Sequence, residues 1–358
     1  MAEAKRIVVV GAGIIGASIA WHLTRAGAKV TIVEGGNAGG IATPTSFAWI
    51  NASWGNPEPY FRLRTRSMRE WTRLAAECRG IALRWSGGLL WDLPAEELDA
   101  YAREHGAWGY GIRTVARAEI ARIEPRLIDP PQRAVHVAEE GAAEPAAAAI
   151  AMAEDAVRSG ATLLPNTEVR RLITQCSKVT GIETSADTIR ADTVVLAAGV
   201  ATPALAATAG VDVPLTAPPG LLVHSRPAEK LLNGLVLAER LHMRQTGDGT
   251  IVAGSDFGGA DPGADAGETA RALFDAVKAM LAGGERLAFD RYTVGYRPTP
   301  ADGFPVIGPA HGIGGLYLAV MHSGITLAPA VGLFATAELL GGEPEPLLAP
   351  YRLARFTG

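Results

Sequence analysis

The chain of 358 residues is predicted to adopt an α/β fold of about two domains. Near the N-terminus, a β-branched run at residues 6–10 is followed by a helical stretch and a second apolar run at 29–33. This is the pattern of a βαβ unit. A similar pattern returns near the C-terminus, where a buried strand at 315–320 precedes a helix at 325–340. Between them, residues 161–199 are rich in short strands, and residues 211–294 hold further strands and one long helix.

Composition and charge exclude several classes of protein. Hydrophobic residues make up 48% of the chain and charged residues 20%, which is unlike a disordered chain. The formal net charge of −4, from 37 acidic and 33 basic residues, does not provide the basic surface that nucleic-acid binding needs. No uncharged apolar run reaches the roughly 18 residues of a membrane-spanning helix, so no membrane span is expected.

The cysteines and the N-terminal segment point to a protein of the cytoplasm. Cys78 and Cys176 are far apart and have no metal-ligand spacing, so neither a disulfide scaffold nor a zinc site is predicted. The apolar run after Lys5 and Arg6 is as hydrophobic as a secretion signal. Its regularly spaced glycines and the strand that follows favour a folded βαβ unit instead.

A glycine motif joins the first strand to the first helix. Gly11, Gly13 and Gly16 follow the spacing in which the first glycine makes a tight turn, the second admits a pyrophosphate and the third lets helix and strand pack. Glu34 ends the second strand, 18 residues after Gly16, where a carboxylate can accept two hydrogen bonds from a ribose. The alternative is a βαβ turn that binds no ligand, but it does not explain why the acidic Glu34 ends an otherwise apolar strand. The motif therefore predicts dinucleotide binding, with NADP disfavoured and the choice between FAD and NAD open.

The other elements are assigned from periodicity and turn residues, in chain order. Helices are predicted at 17–26, 60–80, 95–105, 117–123, 145–159, 268–281 and 325–340. Strands are predicted at 162–164, 168–174, 179–183, 188–190, 193–197, 220–224, 241–245, 250–253 and 315–320. Asp248 and Gly249 lie between two of these strands and predict a hairpin turn. The bare loop at 35–46 is typical of a segment that lies against a flat or phosphorylated ligand.

Four segments resemble the D-amino acid oxidase family of flavoproteins, whose members include glycine oxidase, sarcosine oxidase and D-amino acid dehydrogenases. They are residues 8–34, 39–52, 193–199 and the C-terminal stretch 295–329, which begins Gly-Tyr-Arg-Pro and ends Gly-Ile-Thr-Leu-Ala-Pro. The likeness spans nearly the whole chain and is weakest at 86–140 and 211–294. The C-terminal stretch is the most specific part and is most similar to the glycine oxidase branch.

The resemblance implies FAD as the cofactor and a division of the chain into two domains. A discontinuous Rossmann-type FAD-binding domain would be built from 1–85, 141–210 and 295–358. An α+β substrate domain with an antiparallel sheet would be built from 86–140 and 211–294. Some family members attach the flavin to a cysteine whose position matches the vicinity of Gly295. Neither cysteine of this chain is near it in sequence, so FAD is expected to be non-covalent.

The resemblance also assigns cofactor-binding residues. The glycine motif and Glu34 would hold the ADP half, and the hydroxyl-rich loop would line the pyrophosphate and the flavin edge. The N-terminus of the last helix would stabilise negative charge on the reduced flavin. The expected cofactor contacts are Gly11, Gly13, Ile14, Ile15, Gly16, Glu34, Gly35, Ala42, Thr43, Thr45, Ser46, Val169, Ala198, Gly199, Arg297, Ser323, Gly324, Ile325, Thr326 and Leu327.

Four residues are expected on the substrate side. Arg297 matches the arginine that binds the substrate carboxylate in glycine oxidase, a task suited to its planar, bidentate guanidinium. His242 and His322 stand where that branch has a tyrosine and a second arginine, which leaves the substrate open, N-substituted amines included. Arg244, two residues after His242, would point to the same face of its strand. Each histidine is equally consistent with a packed residue of no catalytic role.

The implied reaction is oxidation of the carbon–nitrogen bond of glycine, an N-substituted glycine or a D-amino acid. Hydride transfer to flavin N5 gives an imine that hydrolyses to an oxo acid plus ammonia or an amine, and O2 reoxidises the flavin to give H2O2. No acid or base is assigned. Three alternatives stay open: a dehydrogenase that passes electrons to a quinone or a partner protein, a non-catalytic flavin-binding subunit, and a nicotinamide-dependent dehydrogenase. The oligomeric state, a homo-oligomer included, is left open.

Overall fold

The computed structural model describes residues 4–256 and 258–356. The ends of the predicted domain ranges at residues 1–3, 357 and 358 lie outside these residues. The helices are α1 (Ile14–Arg25), α2 (Glu58–Glu77), α3 (Ala95–Ala107), α4 (Arg117–Ile123), α5 (Pro145–Arg158), α6 (Thr202–Ala207), α7 (Ala266–Met280) and α8 (Gly324–Leu339). Short 3-10 turns occur at Gly199–Ala201, Gly284–Arg286, Pro346–Tyr351 and Leu353–Phe356.

Short strands alternate with these helices along the described chain. The first eleven are β1 (Arg6–Val10), β2 (Lys29–Val33), β3 (Trp49–Ile50), β4 (Leu83–Arg84), β5 (Gly88–Trp91), β6 (Ile112–Ala116), β7 (Arg133–Val137), β8 (Gly141–Ala143), β9 (Thr162–Leu164), β10 (Val169–Gln175) and β11 (Lys178–Thr184). The others are β12 (Thr188–Arg190), β13 (Thr193–Leu196), β14 (Leu215–Thr216), β15 (Pro219–Ser225), β16 (Leu235–Ala238), β17 (Leu241–Gln245), β18 (Ile251–Gly254), β19 (Phe289–Tyr296), β20 (Thr299–Pro300), β21 (Val306–Pro309) and β22 (Leu316–Val320).

A six-stranded sheet in the order β21-β22-β13-β1-β2-β9 forms one half of the molecule. Strand β1 lies at its centre and pairs in parallel with β13 and β2. Only the edge strand β21 is antiparallel to its neighbour. The central strands are buried apolar runs, as expected of a parallel sheet covered on both faces. The predicted α/β fold class is confirmed.

An eight-stranded sheet in the order β19-β15-β18-β17-β16-β5-β7-β6 forms the other half. Its pairings are antiparallel except for β16 with β5. All of its strands come from residues 88–137 and 219–296, whereas those of the six-stranded sheet come from the rest of the chain. The predicted domain boundaries are compatible with this separation but stay a prediction. No helix among the described residues is both long and apolar enough to cross a membrane.

The sequence missed several edge elements and shortened others. Helix α1 begins at Ile14 rather than at the predicted Ala17, because Gly13 is its N-cap and accepts the first helical hydrogen bond. Strand β19 was not predicted because most of its residues are exposed at a sheet edge and show no apolar alternation. Strand β21 contains Gly308 and ends at Pro309, residues that are tolerated at an edge but suppress a strand assignment.

Helices α1 and α8 pack closely where a glycine faces α1. A Cβ atom at Gly332 would overlap Ser18 Oγ and lie 2.5 Å from His22 Nδ1. The Ser18 hydroxyl donates a hydrogen bond of 2.7 Å to the Ala328 carbonyl oxygen, which ties the helices together. Burial lowers the pKa of His22 to about 4, so this imidazole is neutral at neutral pH.

We predict that Gly332→Ala destabilises the protein by about 1–3 kcal/mol, because the added methyl overpacks this helix contact. Chemical denaturation should give a lower midpoint at unchanged slope. Gly247→Ala is the matched control, because a Cβ atom there meets nothing within 4 Å. Equal stability of the two variants would contradict the close packing of α1 against α8.

Candidate active site

A cavity of about 1200 Å³ runs between the two large sheets and brings most of the expected residues together. Its wall includes the ends of β1 and β2, the start of α1, the start of α8 and residues of β5 and β15. The expected residues that line it are Gly11, Gly13, Ile14, Ile15, Glu34, Gly35, Ala42, Thr43, Thr45, Ser46, Val169, Ala198, Gly199, Arg297, His322, Ser323, Gly324, Ile325 and Thr326. Gly16, Leu327, His242 and Arg244 are not in its wall.

The glycine motif makes a close crossing of backbone at one end of the cavity. Gly11 has a φ of +102°, and a Cβ atom there would overlap the carbonyl oxygen of Ala197 at the end of the neighbouring strand. A Cβ atom at Gly16 would overlap the carbonyl oxygen of Gly11, so this third glycine serves helix packing rather than the cavity wall. The start of α1, at Gly13, Ile14 and Ile15, therefore lines the cavity, as the motif predicts.

Glu34 is buried beside this turn and holds it together. Its Oε2 atom accepts a hydrogen bond of 2.7 Å from the Ala12 amide, and its Oε1 atom accepts one of 3.0 Å from the Gly36 amide. The sequence predicted two acceptor sites for a ribose. Because a carboxylate has about four acceptor positions, both oxygens retain capacity for hydroxyl donors from a ligand.

The loop at 41–46 lines the cavity and contacts the start of α1. Thr43 Oγ1 accepts a hydrogen bond of 3.1 Å from the Ile14 amide at the start of α1. Thr45 Oγ1 donates one of 3.1 Å to the Ala42 carbonyl oxygen. Ser46 Oγ accepts one of 3.1 Å from the Ala48 amide. These hydroxyl groups order the loop by binding its own backbone.

The start of α8 is set by Ser323, which has a φ of +60°. The first helical hydrogen bond runs from the Leu327 amide to the Ser323 carbonyl oxygen, at 3.1 Å. The amides of Gly324, Ile325 and Thr326 precede that bond and belong to the orphan donors of a helix N-terminus. Leu327 was expected among the cofactor contacts. The structure instead buries its side chain and uses its amide within the helix.

Arg297 projects into the other end of the cavity. Its guanidinium lies against the backbone of Gly258, where a Cβ atom would overlap it. Its Nε atom is buried without a hydrogen-bond partner among the described residues. Burial lowers the pKa of this arginine, and the charge of Asp256 opposes the shift. No ion pair of the described chain includes Arg297, so its charge is available to an anionic ligand.

A second arginine lies beside His322. Arg64 is buried and donates hydrogen bonds to the Asn51 carbonyl oxygen at 2.9 Å and to Ser323 Oγ at 2.9 Å. Ser323 Oγ is also 3.0 Å from Nδ1 of His322. Burial, then Arg64 and Arg297, lower the pKa of His322 to about 4. His322 is thus neutral at neutral pH, and the positive charge near it comes from the two arginines.

His242 and Arg244 lie behind the cavity wall rather than in it. His242 is buried, with Nε2 3.1 Å from Oδ2 of Asp92. Arg244 donates a hydrogen bond of 2.6 Å to the Phe47 carbonyl oxygen and lies 3.3 Å from Glu144. Both side chains are used by residues of the protein itself, which is why they do not reach the cavity. Asp92 and Phe47, which they support, do line it.

Several residues in the wall were missed from the sequence. Arg64 lies within the predicted helix at 60–80, four residues after Tyr60 and seven before Trp71. That spacing puts it on the buried face and could have identified it. No comparable signal marked the others, because they come from different elements: Asn51, Trp54, Asp92 and Tyr101.

Comparison with known proteins identifies the family. A sequence profile described as FAD dependent oxidoreductase matches residues 6–339. The chain belongs to this DAO family. It is 32% identical to a glycine oxidase from Pseudomonas aeruginosa, over 97% of this chain and 97% of that protein. Among solved structures, a glycine oxidase from Geobacillus kaustophilus has a TM-score of 0.88 at 25% identity, over 98% of this chain and 99% of that chain. The L-proline dehydrogenase from P. horikoshii has a TM-score of 0.89 at 25% identity, over 100% and 99%.

This protein is therefore an FAD-dependent amino acid oxidoreductase, and FAD is confirmed as the expected cofactor. The cavity fits this cofactor in two respects. Two helix N-termini with free amides face it, which suits the pyrophosphate and a flavin that becomes negative on reduction. Gly13, the second glycine of the motif, lines the cavity without a side chain, which leaves the backbone there open to a diphosphate. No His, Cys, Asp and Glu cluster suited to a metal occurs among residues 4–256 and 258–356.

We predict that Glu34→Gln weakens FAD binding by roughly tenfold or more, because an amide nitrogen cannot accept from Ala12 or Gly36 and its carbonyl oxygen lacks a full charge. Titration of the apoprotein with FAD, followed by quenching of flavin fluorescence, measures the Kd. Glu168→Gln is the control, because Glu168 lines the same end of the cavity but is exposed. An unchanged Kd for Glu34→Gln would exclude this role of the carboxylate.

Proposed function

We propose that this protein oxidises the carbon–nitrogen bond of a small amino acid: glycine, an N-substituted glycine or a D-amino acid. The observation that carries the proposal is Arg297, a cation in the cavity without an ionic partner among the described residues. The similarity to glycine oxidases over nearly the full chain supports the same substrate class. An imine product would hydrolyse to an oxo acid plus ammonia or an amine.

Arg297 would orient the substrate. Its guanidinium can donate two parallel hydrogen bonds to a carboxylate, which places the α-carbon and the amine at a constant distance from the cofactor. Partial burial strengthens such a bond because water competes less for the charge. His322, which is neutral at neutral pH, can take part only as a neutral hydrogen-bonding group.

Bound FAD would supply the two-electron acceptor for this oxidation, and the protein would supply orientation and electrostatics. The amides of Gly324, Ile325 and Thr326 give the start of α8 a partial positive charge that suits a reduced, anionic flavin. Arg64 would add a full positive charge nearby, held in place by Asn51 and Ser323. No side chain is assigned as a general base.

The cofactor would be held without a covalent bond. Cys78 is buried, Cys176 is exposed, and neither is in the cavity wall. Gly295 is in the wall, near where some family members carry the attached cysteine. A Cβ atom at Gly295 would overlap Thr45 Oγ1, so a side chain has no room at this position.

We take O2 as the electron acceptor, with H2O2 as its product, in line with the glycine oxidases among the relatives. A dehydrogenase that uses a quinone or a partner protein is the second candidate. The structural similarity to an L-proline dehydrogenase supports this second candidate. Peroxide release under air, compared with dye reduction under argon, distinguishes the two.

The first test is an anaerobic titration of the purified yellow protein. Glycine, sarcosine, longer N-alkyl glycines and both enantiomers of several amino acids are added, and flavin absorbance is followed. Bleaching by one class of compound supports the proposal and identifies that class. A yellow protein that no amino acid or N-alkyl glycine bleaches would overturn it.

We predict that Arg297→Ala lowers kcat/KM for the amino acid by roughly 100-fold, because the carboxylate loses a charge-assisted, bidentate partner. Arg297→Lys should recover part of the loss, since it restores charge but not the planar fork. Steady-state kinetics at constant FAD content measure both. Arg291→Ala is the matched control, because Arg291 lies on β19, the strand that ends directly before Arg297, but is exposed. Wild-type kcat/KM in Arg297→Ala would refute the assignment.

A further inference from the structure

A carboxylate with a free oxygen lies in the part of the cavity wall contributed by the eight-stranded sheet. Asp92 follows strand β5 directly and lines the cavity. Its Oδ2 atom is 3.1 Å from Nε2 of His242, which orients the carboxylate from behind. Its Oδ1 atom is buried and has no hydrogen-bond partner among the described residues. A buried acceptor in this state is costly unless a ligand donates to it.

A buried tyrosine lies close by. Tyr101, on helix α3, is fully buried and lines the same cavity. Its hydroxyl has no partner of ideal hydrogen-bond geometry among the described residues, and its weak side-chain hydrogen bond is to Glu140. Burial, then the nearby Glu140, raise the pKa of Tyr101 well above its usual value, with Asp92 adding to the shift. The hydroxyl therefore stays protonated and can donate or accept.

Aromatic rings adjoin these two polar groups. Trp54 lines the cavity, and its ring lies 5.9 Å from that of Tyr101, with an interplanar angle of 43°. A carboxylate and two aromatic side chains in one cavity wall are a combination that binds organic cations, by charge and by cation–π attraction. The apolar faces also suit the methylene groups of a flexible side chain.

The other charged groups nearby are already engaged. Arg64 donates to Asn51 and Ser323. Glu140 accepts hydrogen bonds of 2.8 Å from Trp49 and 2.7 Å from Tyr110. Burial raises the pKa of Glu140 to about 8, so much of it is uncharged at neutral pH. The other acidic residues in the described wall, Glu34 and Glu168, belong to the dinucleotide end. Asp256 acts electrostatically on Arg297 but is not in the wall, so Asp92 is the carboxylate that the wall presents near the substrate.

We propose that Asp92, Tyr101 and Trp54 form a subsite for a cationic group of the substrate, an ammonium or guanidinium carried on its side chain or N-substituent. The proposal rests on the proposed function, because it takes the substrate carboxylate to lie at Arg297. A substrate with its carboxylate at Arg297 and its distal cation at Asp92 matches the charge of each part of the wall. The preferred substrate class is therefore a basic amino acid or a basic N-substituted amino acid.

The test compares compounds of similar length that differ in charge. Both enantiomers of lysine and norleucine are assayed by anaerobic flavin reduction with the holoenzyme. Binding without turnover is measured with 5-aminopentanoate and pentanoate, which lack an α-amine, from the change they cause in the flavin spectrum. We expect roughly tenfold or more preference for the cationic member of each pair.

Variants then separate the subsite from the rest of the cavity. Asp92→Asn should abolish the preference for lysine over norleucine and for 5-aminopentanoate over pentanoate, because it removes charge at constant shape. Tyr101→Phe should reduce the preference in the same direction but less. Asp99→Asn is the control, since Asp99 is on α3 near Tyr101 but pairs with Arg133 outside the cavity wall. FAD content and melting temperature report whether each variant is folded.

The outcomes distinguish this inference from the proposed function. Flavin reduction by norleucine or glycine without any gain from a distal cation would overturn the subsite and leave the proposed function standing. Preferential binding of 5-aminopentanoate that depends on Asp92, without flavin reduction by any amino acid, would support the subsite and overturn the proposed function. A preference for cations that persists in Asp92→Asn would also overturn the role of this carboxylate.

Discussion

The close contact between helices α1 and α8 is the constraint on which the cavity depends. Because Gly332 has no side chain, α8 lies directly against Ser18 and His22 of α1. The two helices can then direct both N-termini at one cavity, one beside the glycine turn and one beside Ser323. Their orphan amides supply positive potential from backbone, which costs no reorganisation when a negative group arrives.

Charge in the cavity is divided between its parts. Backbone amides and Glu34 occupy the dinucleotide end, where the carboxylate is already oriented by two amides. Arg64 and Arg297 bring positive charge to the substrate end, and Asp92 brings negative charge there. Arg64 is held by the carbonyl oxygen of Asn51. Asp92 is held by His242, which lies behind the cavity wall. Such support keeps the polar groups in place before a ligand binds.

The sequence predicted the elements and residues that depend on local pattern. The glycine motif, the apolar strands and the start of α8 are read within a few residues of chain, and the structure brings their side chains and amides to one cavity. Arg64 was within reach of the same reasoning through its spacing from Tyr60. Asp92 and Tyr101 were not, because an aspartate after a strand and a tyrosine in a helix are ordinary in isolation. His242 and Arg244 were expected in the site from matched positions, but such matching does not reveal that Asp92, Phe47 and Glu144 occupy their polar atoms.

The sequence by itself determined the α/β class, the dinucleotide turn and the family to which the chain belongs, since these rest on residue spacing over short stretches. It also identified Arg297, because that residue lies within a specific motif. Tertiary structure alone decided which polar atoms stay unpaired inside the cavity. Whether the Arg297 Nε and the Asp92 Oδ1 find partners depends on which distant segments pack beside them, as His242 does beside Asp92, and buried polar atoms without partners favour a ligand that supplies them.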